Sequence, residues 1–530
     1  MTMRLYKYLT LGGILLTMSL SSCVGDLDVK PQDETKKTEL TSEKEYLEAL
    51  AGCYFGLVKE GGITSGATGG ESIYTRILFN LEELCTDECV IAANWNDAGI
   101  DELVYSLPSS ENHWIYDMFS RLNAHISICN QFLKDINGAG QFFSSEEIAE
   151  MKAEVRVLRD LGYYHMIDLF GRGPWTDENS IVGATPPTYD RVQLFEAVVN
   201  DLVDAAPQVN PASKQEYGRV SREAGYALLA KLYLNAEVYT GTAMWQQCAD
   251  ACQKVIEGGL TLADDYKYLF CASNAKHVAC STYGAANEII WSVPQNDITM
   301  QCYGGTTYLS VGAYASGIPA EMKTQLGTNG GYWQGPHMRP ETIDSFTDPN
   351  DERALFYGAV FNKDIENIVS WGDAGTDGYM CIKYTFTNED DYYNTAGVMN
   401  DNGFNSADTP LFRLSDIYLM LAECAINGGY DQTQGLQYYN KVRQRAGATT
   451  IAALPSKREL LNERNRELYW ESHRRSDMIR LGFYTSAAGA EEYIWKWKGG
   501  IYDGTSIAPF RNLMPIPPQF VETLGQNPGY

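Results

Sequence analysis

A chain of 530 residues, 44% of them hydrophobic and 12% aromatic, carries enough apolar side chains to bury a large core; this excludes disorder for most of its length and leaves one large domain or two intimate ones. A formal charge of −27 repels phosphate backbones and anionic headgroups, which argues against nucleic acid as a partner and suits neutral ligands better. Six histidines in no metal-ligand spacing argue against a metal centre, and no motif calls for a cofactor.

Arg4 and Lys7 precede an apolar run from Leu9 to Leu20, with no acid before Asp26, the charge order of a bacterial export signal. The run is too short to span a bilayer, which takes roughly 20 apolar residues. Leu20, Ser21, Ser22 and Cys23 resemble a lipoprotein lipobox, so residues 1–22 read as a signal peptide and Cys23 as the lipidated first residue of the mature chain. With Cys23 acylated, eleven of the 12 cysteines remain, an odd number that cannot all pair. Cys85 and Cys89, like Cys248 and Cys252, are spaced to share a helix face and read as small buried hydrophobes. Residues 23–41 are polar and read as a tether.

Residues 42–260 form an N-terminal helical region. Ser42 is a predicted N-cap, and Tyr46, Leu50, Cys53 and Leu57 step along one helix face. Residues 76–101 mix polar and aromatic residues without a sustained period, and Trp95 sits among turn formers from Asn94 to Gly99, which reads as a loop. Helical spacing then predicts helices over 111–136, 146–170, 191–206, 221–238 and 244–257. The last two, joined at Gly241, set small Ala224, Ala227 and Ala230 against Trp245, Cys248, Cys252 and Val255, as adjacent antiparallel helices require. Such a pair has the size of a tetratricopeptide repeat.

Periodicity fails over 261–410. The texture there is aromatic, glycine-rich and polar, with a short strand expected over 288–293, and a loop region this long inside an ordered protein is usually functional. Asp401, Asn402 and Gly403 lack the remaining ligands of a calcium loop. Residues 411–530 return to helices over 412–426, 434–446 and 456–481 and pack into the same globular unit. The fold class is mainly α: tetratricopeptide-like helix pairs around a loop-rich, strand-poor remainder.

The third of those helices carries Glu463, Arg464, Glu467, Glu471, Arg474, Arg475, Asp477 and Arg480, spaced to form ladders on a helix surface or to pin loops. This run, the ending Gln526, Asn527, Pro528, Gly529, Tyr530, and Glu154, Val155, Arg156, Leu158 and Arg159 in the earlier helix resemble the SusD/RagB family of outer-membrane lipoproteins. The resemblance spans the chain from the lipobox to the last residue. It implies a non-enzymatic glycan-binding protein, lipid-anchored on the outer face of the outer membrane, that delivers oligo- or polysaccharide to a SusC-like TonB-dependent transporter. Asp26 and Asp28 resemble the surface-export signal of this group. The alternatives are a lipid-anchored glycoside hydrolase, for which no acid/base pair is marked, and a tetratricopeptide-type peptide-binding module.

A pyranose packs its C–H face on an aromatic plane and needs donors and acceptors around its rim. Trp95 beside Asn96 and Asp97 offers both in one loop. In starch-binding members of the family an arc of aromatic residues cradles a helical α-glucan. By placement Trp95, Tyr308 and Trp333 resemble that arc, with Tyr303, Arg76 and Asn96 as further glycan-binding candidates.

Overall fold

The structure is a computed structural model that describes residues 39–60, 69–91, 97–181, 183–272, 274, 285–315, 317–328, 332–368, 376–387 and 403–530. Cys23, Trp95 and Asn96 lie outside the described residues. The main helices are α1 (Glu43–Val58), α2 (Tyr74–Phe79), α3 (His113–Asp135), α4 (Ser145–His165), α5 (Arg191–Ala205), α6 (Arg222–Leu234), α7 (Trp245–Ile256), α8 (Thr306–Leu309), α9 (Leu414–Ile426), α10 (Gln432–Arg445), α11 (Lys457–Leu468) and α12 (Arg474–Leu481). Strands are short: β1 (Cys89–Ile91) pairs antiparallel with β3 (Pro336–Met338), and β2 (Ile289–Val293) with β4 (Thr409–Arg413).

Local chemistry sets the helix starts. The Ser42 hydroxyl accepts from the Glu45 amide, and Ser144 and Glu147 form a reciprocal capping box at the start of α4. A π-turn, Met166–Phe170, follows α4, and Gly171 closes it at φ 65°, a left-handed cap that favours glycine. Apolar stripes do the packing. α6 lies on α7, α9 on α10, and α7 on α9, so the two predicted helix pairs stack directly. At that junction Gly429 comes so close to Trp245 that an added Cβ would lie 2.2 Å from the Trp245 Cβ. The main hydrophobic core draws on residues from Tyr46 to Leu524, and a smaller cluster around Val311, Tyr314 and Phe386 sits in the central region. The Glu154 to Arg159 run ties helices together: Arg156 and Arg159 both reach Asp201 on α5, and Glu154 accepts from Arg219.

Three expectations are corrected. Residues 76–101 are not one irregular stretch, since α2, a π-turn at Asn80–Leu84, and β1 are all buried there. Cys85 and Cys89 therefore share no helix face; Cys89 lies in β1, and all ten described cysteines are free and buried. The helix expected over 456–481 is broken into α11 and α12, with Trp470 and Ser472 at positive φ. Each such residue costs about 1–2 kcal/mol, and buried carboxylates compensate. The Trp470 amide donates to Glu88 (2.7 Å), the His473 amide to Glu83 (3.0 Å) and the Ser476 amide to Glu82 (3.0 Å).

From Glu463 to Asp477 the acidic and basic side chains of α11 and α12 are buried rather than laid out on a surface. Glu463 and Glu467 accept from Arg353, while Arg413 of β4 reaches Glu288, Glu467 and Glu471. These ion pairs fasten the central region to the C-terminal helices. Burial opposes ionisation of Glu463, yet Arg353, Arg466 and Arg443 outweigh it and hold the carboxyl down at about 2.

Candidate functional site

The central region places an aromatic cluster against α2. Thr75 on α2 donates to the Gly304 carbonyl (3.3 Å), and Glu60, just past α1, accepts from the Tyr303 and Gly304 amides (3.2 Å to Gly304). These contacts lift Tyr303 outward, and its side chain is 52% exposed. Trp333 reaches the same place from a different segment, through backbone pairing of Trp333, Gln334 and Gly335 with Val311, Tyr314 and Gly312. The half-buried indole lies 6.0 Å from the Tyr303 ring, inclined at 49°. Phe404, a residue the sequence reading missed, lies 4.7 Å from Tyr303 on a further segment, inclined at 46°. No periodicity marks Phe404; its one signal is an aromatic between Gly403 and Asn405.

Behind the cluster the other candidates separate by burial. Arg76, 5% exposed, pairs with Asp97, and its guanidinium lies over the rings of Trp114 (5.1 Å) and Tyr308 (4.5 Å). Asp97, which Arg76 holds, directly follows Asn96 in the sequence. Tyr308, expected in the exposed arc, is fully buried: its ring packs edge-on against Phe79 at 5.7 Å, its hydroxyl donates to Asn80 (3.0 Å), and burial pushes its phenol up. No face of that ring is free to take a ligand, because Tyr308 sits on α8 on the side turned towards α2. The structure thus brings together Tyr303 and Trp333 at the surface, and Arg76 and Tyr308 beneath them.

The cluster can offer flat apolar faces at several inclinations, bordered by polar atoms, which is the chemistry of a site for a ring with one apolar face and a hydroxylated rim. A separate cleft of about 510 Å³ opens beside α1 between Leu47, Phe55, Tyr217, Trp291 and Met300. Its walls, part aliphatic and part aromatic, suit apolar groups. Among the described residues no group of His, Cys, Asp or Glu is arranged to hold a metal ion, and no helix is long and apolar enough to cross a membrane.

A model of the SusD family matches residues 302–530. Starch-binding protein SusD of Bacteroides thetaiotaomicron is 29% identical, over 97% of this chain and 97% of that protein. SusD-like protein P25 of Formosa agariphila is 28% identical over 78% of this chain and 80% of its own length. Among solved structures, a SusD superfamily protein from Parabacteroides distasonis superposes with a TM-score of 0.69 at 22% identity, covering 93% of this chain and 100% of that one. Surface glycan-binding protein A from B. thetaiotaomicron, solved in complex with laminarihexaose, does so with a TM-score of 0.68 at 18% identity, covering 92% and 100%. Those structural likenesses carry the fold of helix pairs around a loop-rich remainder, while the SusD family model matches the C-terminal part of the chain and the end-to-end alignment shows similarity to a starch-binding SusD along its whole length.

Proposed function

We propose that this chain is a glycan-binding lipoprotein of the cell surface. It captures a neutral oligo- or polysaccharide of the starch-type α-glucan class and delivers it to a SusC-like TonB-dependent transporter, held at the outer membrane by lipid on Cys23. The observation that carries the reading is the exposed Tyr303 ring with Trp333 inclined beside it. Sugar C–H faces pack on such rings, and a strongly anionic chain favours an uncharged ligand. The names of the relatives support it, one being starch-binding and one structure holding laminarihexaose. Trp95, Asn96, Tyr303 and Trp333 are the proposed contacts. Arg76 is assigned to holding Asp97, next in sequence to Asn96, and Tyr308 to supporting Arg76 from within the core. Both roles follow from the burial of these two side chains.

Calorimetry of the mature protein with maltoheptaose and laminarihexaose tests the ligand class. Maltoheptaose binds, and Trp95→Ala and Trp333→Ala each weaken it by about 1–3 kcal/mol, the scale of one aromatic stacking platform, with the melting temperature nearly unchanged. Wild-type protein that takes up neither sugar overturns the reading. For the partner, mild detergent extraction should recover the protein with a large outer-membrane barrel, and recovery as free monomer alone would remove the transporter from the proposal.

A further inference from the structure

The aromatic surface around Tyr303 is larger than the sequence pattern suggests. Phe404 sits closer to Tyr303 than Trp333 does, 4.7 Å against 6.0 Å, and is only half-buried, whereas Phe386 and Phe412, the flanking phenylalanines with packing roles, are 5% and 4% exposed. We propose that Phe404 is a further sugar-stacking ring, which extends the Tyr303 and Trp333 surface and sets affinity for an oligomer of neutral hexoses. The inference rests on the glycan-binding reading above and adds to it a residue that no pattern had singled out.

The backbone that carries Phe404 is fastened on the side leading into the core. Asn405, 2% exposed, donates its amide to Thr307 (3.1 Å) and its side chain to Ser310 (3.0 Å) and to the Thr385 carbonyl (3.2 Å), while its side-chain carbonyl accepts from the Ala407 amide (2.8 Å). Ser406 donates to Asp297 (2.6 Å), and Asp408 takes hydrogen bonds from Tyr217 (2.7 Å) and the Gln295 amide (2.8 Å). Thr307 on α8 and Ser310 at its C-terminal cap follow Tyr303 by a few residues, so the segment of Phe404 is tied to the stretch of chain that continues from Tyr303. A ring already ordered before the ligand arrives loses little further freedom on binding, and its contact is retained as affinity.

The two inclinations, 49° for Trp333 and 46° for Phe404, mean that neither neighbour is coplanar with Tyr303. Such a surface follows a chain whose sugar faces turn from one unit to the next. Phenylalanine has no polar atom, so Phe404 contributes flat C–H contact alone and leaves recognition of hydroxyls to other groups.

The test compares Phe404→Leu and Phe404→Trp with wild type and with Trp333→Ala, titrating maltoheptaose into the full mature chain. Leucine preserves apolar packing against Tyr303 and removes the flat ring, so Phe404→Leu should raise Kd about tenfold at an unchanged melting temperature, the scale of one stacking contact. Phe404→Trp should stay within about threefold of wild type, since it keeps a stacking face. If Phe404→Leu binds as wild type while Trp333→Ala loses affinity, the glycan site stands and Phe404 is packing only. If wild type takes up neither maltoheptaose nor laminarihexaose, both readings fall together.

Discussion

The helical rows and the region between β2 and β4 are held by different means. In the rows, regular hydrogen bonding satisfies the backbone, and apolar stripes such as Ala224, Ala227 and Leu228 on α6 meet Cys248, Cys252 and Val255 on α7. Among the described residues of the central region strands run to five residues at most, and side chains take over the work of a ladder. Asn274 exchanges hydrogen bonds with Asp408, Arg339 donates to the carbonyls of Cys89, Val104 and Lys496, and the Tyr314 hydroxyl donates to the Tyr384 carbonyl. A buried backbone group must find a partner wherever it lies. A loop so fastened can be as fixed as a helix while showing no period, and that lets Tyr303, Trp333 and Phe404 meet from three distant segments.

The ion pairs between the two regions give the comparison its sharpest test. Arg413, 1% exposed, is the hinge pin, with Glu288, Glu467 and Glu471 around it. Arg413→Met leaves three buried carboxylates without their shared cation and should lower unfolding stability by about 3–5 kcal/mol in a denaturant titration. Central-region sites should also become protease-sensitive before the helix pairs do. A loss below about 1 kcal/mol would mean that apolar packing alone joins the regions.

Tyr303 and Tyr308, five residues apart, make a smaller test of how the central region divides its labour. Tyr308→Ala empties a filled site between Phe79 and Arg76 and should cost about 3 kcal/mol of stability. Tyr303→Ala, at an exposed ring, should change stability by less than about 0.5 kcal/mol and yet weaken maltoheptaose binding. The opposite ranking in thermal melts would place the ligand surface elsewhere.

The smallest effect expected is in pH. Glu463, in the network at the helices, has its carboxyl held down at about 2, so its contribution is present above the unfolded value near 4.5 and is lost as pH falls through 2. Asp408 and Glu341 run the other way: burial pushes both up to about 7, so their contribution is present below about 4 and is lost as pH rises through 7. The contribution of these three carboxyls to melting temperature should therefore be largest between about pH 4 and 5, falling on the acid side through the helical network and on the alkaline side through the segment that Asp408 fastens. Asp408→Asn should flatten the alkaline limb and leave the acid limb in place.

What could be read from the chain alone was whatever repeats at short range. Helix positions, the Ser42 cap, the meeting of Ala224, Ala227 and Ala230 with Cys248 and Cys252, and a strand beginning near Ile289 all depend on spacings of two to four residues, and each has its counterpart in the structure. Resemblance to the SusD family was legible for a different reason, because the charged run and the ending are sequence features in themselves. Tertiary structure alone decided where partners come from far along the chain. The break between α11 and α12 needs Glu82, Glu83 and Glu88, which lie nearly 400 residues earlier. Tyr308 turns inward because α2 supplies Arg76 and Phe79 for it, and Phe404 gains its place beside Tyr303 through Asn405 and α8. Local spacing encodes which residues share a face; which distant donor or acceptor satisfies a buried group is set by the packed chain as a whole.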